Sequence, residues 1–302
     1  MAKALALVLL LLGAGAAWAQ TPAPPAGEPE TVYSDAQRQK DDQLSRRFVQ
    51  SLLRQSDSLE GQFSRWKDPI CPHVHGLRPT AAYVVERRIR DIAQRIGAPV
   101  DRKSPCTPNI GIIFSAEPQQ SLDSIAAARP FLLQGGNQKP VVIYPVQAWY
   151  TAFRTEYDGF RVLDIPREDA EPWRDYIPKV SNDLPWSKAN LTRLHSGETT
   201  EIAAATVLVD TKAAAGLTLG ELGDYLALMV LAQTPATGRC QPAPSIANLF
   251  LKDCDSDFHT TALSDADLAM LTALYQTPDE PEKLQAQRLI ANMRRNLEGE
   301  QK

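Results

Sequence analysis

Apolar residues recur along much of the chain at the three-to-four-residue spacing of a helix face, and shorter apolar runs or clusters of Gly, Pro and Asp separate these stretches. Between residues 34 and 66, Leu44, Phe48, Leu52, Leu59 and Phe63 alternate with Arg, Lys, Asp and Gln. That pattern predicts an amphipathic helix lying across the main body, interrupted if anywhere at Ser56 to Ser58. A clearer helix follows Cys71: Pro79 suits its first turn, Ala82, Val85, Ile89, Ile92 and Ile96 form one stripe, and Gly97 with Pro99 stops it. Residues 109–114, Asn-Ile-Gly-Ile-Ile-Phe, then read as a buried strand.

Farther along, residues 121–133 look helical as far as Pro130. Residues 140–153 and 160–163 flank Asp158-Gly159, a hairpin signal that predicts antiparallel arms. Residues 164–190 are rich in Pro, Asp and Trp without a sustained period, which predicts an irregular excursion of the kind that often carries binding. Strand character returns over 201–210, and a helix beginning at Thr218 follows directly. A Pro-rich loop comes next, then helices over 264–276 and 281–297, with stripes at Leu268, Leu271 and Leu274 and at Leu284, Leu289, Met293 and Leu297. Helices interleaved with strands predict an α+β fold on a mixed sheet, with a mainly helical C-terminal part. No internal repeat is visible.

The N-terminus adds a compartment. Lys3, the apolar run from Ala4 to Leu12 and Ala17-Trp18-Ala19 before Gln20 have the layout of a secretory signal peptide over 1–19. A Pro-rich tether over 20–33 cannot bury a core. The expected protein is therefore exported, periplasmic or secreted, with no integral membrane segment after cleavage, since no later run reaches about 18 apolar residues. Lys and Arg number 32 against 36 Asp and Glu, a net charge of −4 without a clustered basic run, so a nucleic-acid partner has no electrostatic footprint. The four cysteines, Cys71, Cys106, Cys240 and Cys254, all fall in the exported part, where two disulfides are expected. Three pairings are open to them, and the local one, Cys71 with Cys106 and Cys240 with Cys254, matches the layout of the elements.

Within the helix that begins at Thr218, residues 218–228 read Thr-Leu-Gly-Glu-Leu-Gly-Asp-Tyr-Leu-Ala-Leu. A zinc-protease helix H-E-x-x-H places two histidines one turn apart on one face, with a Glu between them to activate water. Here Gly220 and Asp224 stand at the ligand positions and Glu221 at that of the base. Around this helix lie a strand ending Val207-Leu208-Val209-Asp210, then Ser245-Ile246-Ala247-Asn248-Leu249-Phe250, then Leu263-Ser264-Asp265-Ala266-Asp267-Leu268 with Leu274-Tyr275. Taken in order, these segments resemble zincin-type metallopeptidases, in which a short "S-I-M" type turn packs beneath the zinc and an "L-T-x-x-D" helix closes the domain. Arg88-Ile89, Ile92-Ala93 and Ile96-Gly97, leading into residues 109–114, resemble the first helix and strand of secreted bacterial relatives of unknown function. The resemblance covers roughly residues 66–277 and implies a zincin-like domain over 67–302, preceded by the helix at 34–66. It also implies a relic cleft along Gly220, Glu221 and Asp224 below Asp210, open to a peptide by strand addition. Gly220 has no side chain to ligate and Asp224 is no imidazole, so the two-histidine zinc grip is missing. Thr218 and Glu221 meanwhile have the spacing of a capping box, and Ser264 with Asp267 has a similar one.

Other chemistry is sparse. His73, His75, His195 and His259 are the only histidines. His73 and His75 would project from one face of a strand as a two-ligand arrangement, though beside Cys71 they suggest a disulfide-pinned turn. His259 and Asp210 are the candidates to complete a metal set. Asp253, Asp255 and Asp257 imitate the opening of a Ca²⁺ loop, but Phe258 replaces its Gly and Ser264 its final Glu. No Gly-x-Ser-x-Gly elbow occurs, nothing ties Ser196 beside His195 to a third group, and Gly135-Gly136 makes no phosphate loop. No cofactor is implied. The expected function is a non-catalytic pseudo-metallopeptidase that binds a protein or peptide partner. The alternatives are a hydrolase with a non-standard metal set and a structural envelope component.

Overall fold

The structure, a computed structural model, describes residues 35–53, 62–103, 105–133, 140–155, 161–163, 199–234, 238–280 and 282–299. The expected signal peptide and tether, the excursion over 164–190, the Asp158-Gly159 turn, Gly135-Gly136 and His195-Ser196 lie outside these residues. The elements are α1 (Asp35–Leu52), β1 (Arg65–Trp66), β2 (Pro72–His75), α2 (Pro79–Arg95), β3 (Ile110–Ser115), α3 (Pro118–Ala128), β4 (Val146–Thr155), β5 (Arg161–Leu163), β6 (Thr199–Asp210), α4 (Leu219–Ala232), α5 (Asp265–Gln276) and α6 (Glu282–Leu297). The fold is α+β.

One mixed sheet runs β2-β3-β6-β4-β5, and β1 joins β6 beside β3. β1, β2, β3 and β6 are parallel, while β4 runs antiparallel to β6 and β5 antiparallel to β4. The antiparallel arms expected on either side of residues 158–159 are present, with Phe153 pairing with Leu163. β6 is central because it is long and apolar on both faces. Ala205, Val207 and Val209 enter the main core with Ile110, Ile112 and Phe114 of β3, while Leu208 packs on Leu122 of α3 and Leu133 across the sheet. Alternation along each strand divides the two layers.

Three expectations change. The helix foreseen over 34–66 ends at Leu52, and Arg65–Trp66 instead pairs with Glu201 and Ile202 of β6. As expected, that helix lies across the main body, with Phe48, Val49 and Leu52 buried in the same core as α4, α5 and α6. The strand ending at Asp210 offers no edge to a peptide: Ser115 of β3 pairs with Asp210 on one side and Val146 of β4 pairs with Val209 on the other. Strand addition there is excluded because its backbone groups are already in ladders. Leu284, placed on the core stripe of α6, is 40 % exposed, whereas Leu289 and Met293 are buried.

α4 sits at the centre. Every residue from Leu222 to Ala232 is buried, so this helix has no polar face. At about 1.5–3 kcal/mol per large apolar side chain buried, packing rather than intrinsic propensity accounts for it. A helix that ends in the core leaves its last carbonyls without intrahelical partners. Three aromatic side chains from three elements donate there: Trp66 Nε1 to Val230 O at 2.7 Å, Tyr275 Oη to Leu231 O at 2.9 Å and Tyr150 Oη to Met229 O at 2.7 Å, the last carbonyl also accepting from Gln233 N. Burial holds the Tyr225 and Tyr275 phenols well above their usual pKa, so both stay protonated.

Disulfides join Cys71 to Cys106 and Cys240 to Cys254, with Cα separations of 6.1 and 5.5 Å. The local pairing holds. Two disulfides fit an exported protein. Among the described residues no helix is long and apolar enough to cross a membrane.

Candidate functional site

Thr218 opens α4 as its N-cap. Its Oγ1 accepts from Glu221 N at 3.2 Å, and Glu221 Oε2 accepts from Thr218 N at 2.7 Å. Both halves of the capping box are closed, so the Glu221 carboxylate is engaged by the helix's own backbone. Gly220, one position earlier, is exposed, and a Cβ there would meet only Thr218 Oγ1 at 3.7 Å.

Asp224, one turn on, faces away from solvent at 1 % exposure. Its carboxylate takes a forked pair of bonds from Arg88 of α2, from Nε to Oδ1 and from Nη2 to Oδ2, the latter at 2.9 Å. Leu263 N donates to the same Oδ2 at 2.9 Å. The Asp224 hydrogen bonds raise the Arg88 guanidinium above its usual pKa, while the partial burial of that side chain opposes them. One buried carboxylate therefore ties α2, α4 and the chain entering α5 together. Gly223 makes the approach feasible: a Cβ there would lie 2.8 Å from Arg88 Cγ and 3.0 Å from Arg88 Cβ, so the arginine stem crosses α4 where α4 has no side chain.

A second buried carboxylate organises the next segment. Asp267 is fully buried in the first turn of α5 and completes a capping box with Ser264. Ser245 Oγ donates to its Oδ1 at 2.6 Å and Ile246 N to its Oδ2 at 2.9 Å, so the Ser245-Ile246 turn is clamped onto α5. Burial pushes the Asp267 carboxyl up, and the hydroxyl and amide donors of Ser245, Ile246 and Ser264 pull it back.

The remaining candidates are dispersed. Asp210 ends β6 and its Oδ1 accepts Lys212 N at 2.8 Å in the turn that follows. A cavity of about 40 Å³ lies between α4 and the start of β4, lined by Tyr144, Val146, Tyr225, Leu228, Met229 and Phe250 among others. It has room for a few waters, and Gly220, Glu221, Asp224 and Asp210 do not line it.

His73 and His75 project from β2, a strand rather than the expected turn, and both are exposed. His259 follows the short turn over Ser256–Phe258 and is bridged to Ser245. Among the described residues no three His, Cys, Asp or Glu side chains converge as a ligand set, so His259 and Asp210 do not join His73 and His75. In the acidic loop, Asp255 Oδ1 accepts Asp257 N at 3.1 Å and caps a short turn.

Sequence reading had missed Arg88 and Leu263 as partners of Asp224. The pairing spans 136 positions, and Arg88 stands on the polar side of α2 among several other arginines. Only Gly223, an unexplained glycine inside an apolar helix, hinted at a close approach. Comparison of the chain with protein families, with curated proteins and with solved structures finds no match.

Proposed function

We propose that the protein is exported and works, in the periplasm or outside the cell, as a non-catalytic binding protein of zincin-like ancestry whose partner is a protein or peptide. One observation carries this: the carboxylate that stands where a zincin would keep its second histidine is buried and committed to Arg88 and Leu263 N. A ligand to zinc must keep a lone pair directed at an open site, and catalytic zinc keeps a coordination position free for water. Asp224 is instead shut between helices, Gly220 has no donor, and Glu221 caps its own helix. The chain retains the order of motifs while the groups that would do the chemistry hold the fold together. The two disulfides support a place outside the cytoplasm.

The test pairs an activity assay with a binding assay. Purified full-length protein, supplied with Zn²⁺ and an unfolded protein substrate, is expected to release no peptides above the blank. The immobilised protein is expected to recover a partner from the exported fraction whose affinity is then measured with the purified pair. Zinc-dependent cleavage that Glu221→Gln abolishes would overturn the proposal.

A further inference from the structure

We infer that His73 and His75 form a two-point chelate for a borderline divalent cation, Zn²⁺, Cu²⁺ or Ni²⁺, on the outer edge of the sheet. The site is independent of α4 and of the binding role above. It starts from strand geometry: residues two apart share a face, so both imidazoles leave β2 on the exposed side while Pro72 and Val74 are buried beneath. The ring centroids are 4.4 Å apart and the ring planes 89° to one another. Two imidazoles bound to one ion at about 2.0–2.1 Å and in adjacent positions would have their centroids about 4.5–5 Å apart. The separation therefore suits a shared ion once rotation of the edge-to-face rings turns one nitrogen of each toward it.

The backbone that carries the pair is held at both ends. Cys71, the residue before β2, is tied to Cys106. Gly76, immediately after it, has φ +85°, and a Cβ there would fall 2.0 Å from Phe114 O, so no other residue fits the exit. In between, Val74 N donates to Glu86 Oε1 at 2.8 Å, which anchors that carboxylate from α2 at the strand edge. The same oxygen lies 3.4 Å from His73 Nδ1. A carboxylate at that nitrogen favours the tautomer with the proton on Nδ1 and leaves Nε2 as the free donor, the arrangement that metal-binding histidines commonly have behind them.

The donor set selects the ion. Neutral imidazole nitrogen suits Zn²⁺, Cu²⁺ and Ni²⁺, whereas Ca²⁺ and Mg²⁺ take oxygen ligands. Among the described residues no third His, Cys, Asp or Glu joins the pair, so water completes the coordination sphere and the site is an open surface chelate.

Titration of the untagged, oxidised full chain with CuCl₂, NiCl₂ and ZnCl₂ by calorimetry tests this. The expected result is one ion per chain, an affinity lowered at least tenfold by His73→Gln or by His75→Gln, and about tenfold by Glu86→Gln through its effect on His73. His259→Gln should leave the affinity unchanged, and CaCl₂ should give no signal. Cu²⁺ electron paramagnetic resonance on the wild-type chain, which needs no variant, should show hyperfine coupling to two imidazole nitrogens. No wild-type binding, binding that survives both histidine substitutions, a Glu86→Gln chain with wild-type affinity, or a spectrum without two imidazole nitrogens would overturn the inference.

Discussion

Arg88 on α2 grips Asp224 on α4 with a forked pair of hydrogen bonds, and Gly223, next to that aspartate, is what lets the arginine stem lie against the helix. Asp224 is 1 % exposed while the Arg88 side chain is 46 % exposed, so the pair is buried from one side only. That asymmetry decides what each substitution does.

Arg88→Ala should destabilise the protein by about 2–3 kcal/mol, because it leaves a buried carboxylate with only Leu263 N for a partner. Water reaching in through the vacated arginine position keeps the loss below that of a fully enclosed pair. Asp224→Asn keeps the volume but turns an amide toward donors and should cost a similar amount. Urea denaturation of the oxidised protein checks both, and wild-type midpoints would contradict the role given to the pair.

The two glycines of α4 should respond with opposite signs. Gly223→Ala should destabilise by about 1–3 kcal/mol, since its Cβ meets the rigid base of the Arg88 side chain at 2.8 Å. Gly220→Ala has open space and a helical backbone and should stabilise by up to about 1 kcal/mol. Thermal melts of the two variants side by side read the sign directly.

Trp66→Phe removes the donor to Val230 O in the buried end of α4, and Tyr275→Phe the donor to Leu231 O. Each should cost about 1–3 kcal/mol, the penalty of a buried carbonyl left without a partner. Faster amide hydrogen exchange in the last turn of α4 should accompany the loss, and an unchanged exchange pattern would contradict it.

Asp267→Asn should release the Ser245-Ile246 turn from α5. The buried Asp267 carboxylate accepts from Ser245 Oγ, Ile246 N, Ser264 N and Ser264 Oγ, so an amide in its place faces donors that it cannot satisfy. The expected loss is about 2–3 kcal/mol, measured by denaturant titration. Proteolytic cleavage within residues 240–264 should rise with it.

The cysteine pairs should differ little in their stabilising effect. Loops closed over 14 and 35 positions correspond to about 3 and about 4 kcal/mol respectively in the chain-entropy account. Double serine variants at Cys240 with Cys254 and at Cys71 with Cys106, compared by denaturation, test the order.

By itself the sequence determined what depends on near neighbours. The apolar period placed α2, α5 and α6, the β-branched runs placed β3 and β6, the spacing of Thr218 with Glu221 and of Ser264 with Asp267 predicted two capping boxes, and cysteine spacing pointed to the local disulfides. These features arise from interactions a few residues apart, or within one loop, and a single chain displays them. Tertiary structure alone decided the rest. Arg65–Trp66 became a strand because β6 had an unpaired stretch beside β3, and the end of β6 lost any open edge because β3 and β4 both lie against it. Asp224 became the partner of Arg88 because burial makes an unpaired carboxylate expensive, and only the packing of α2 on α4 brings a guanidinium within reach. The helix from Thr218 was thus legible as a capped, apolar helix; what Asp224 meets was not, because the guanidinium that answers it stands 136 positions away.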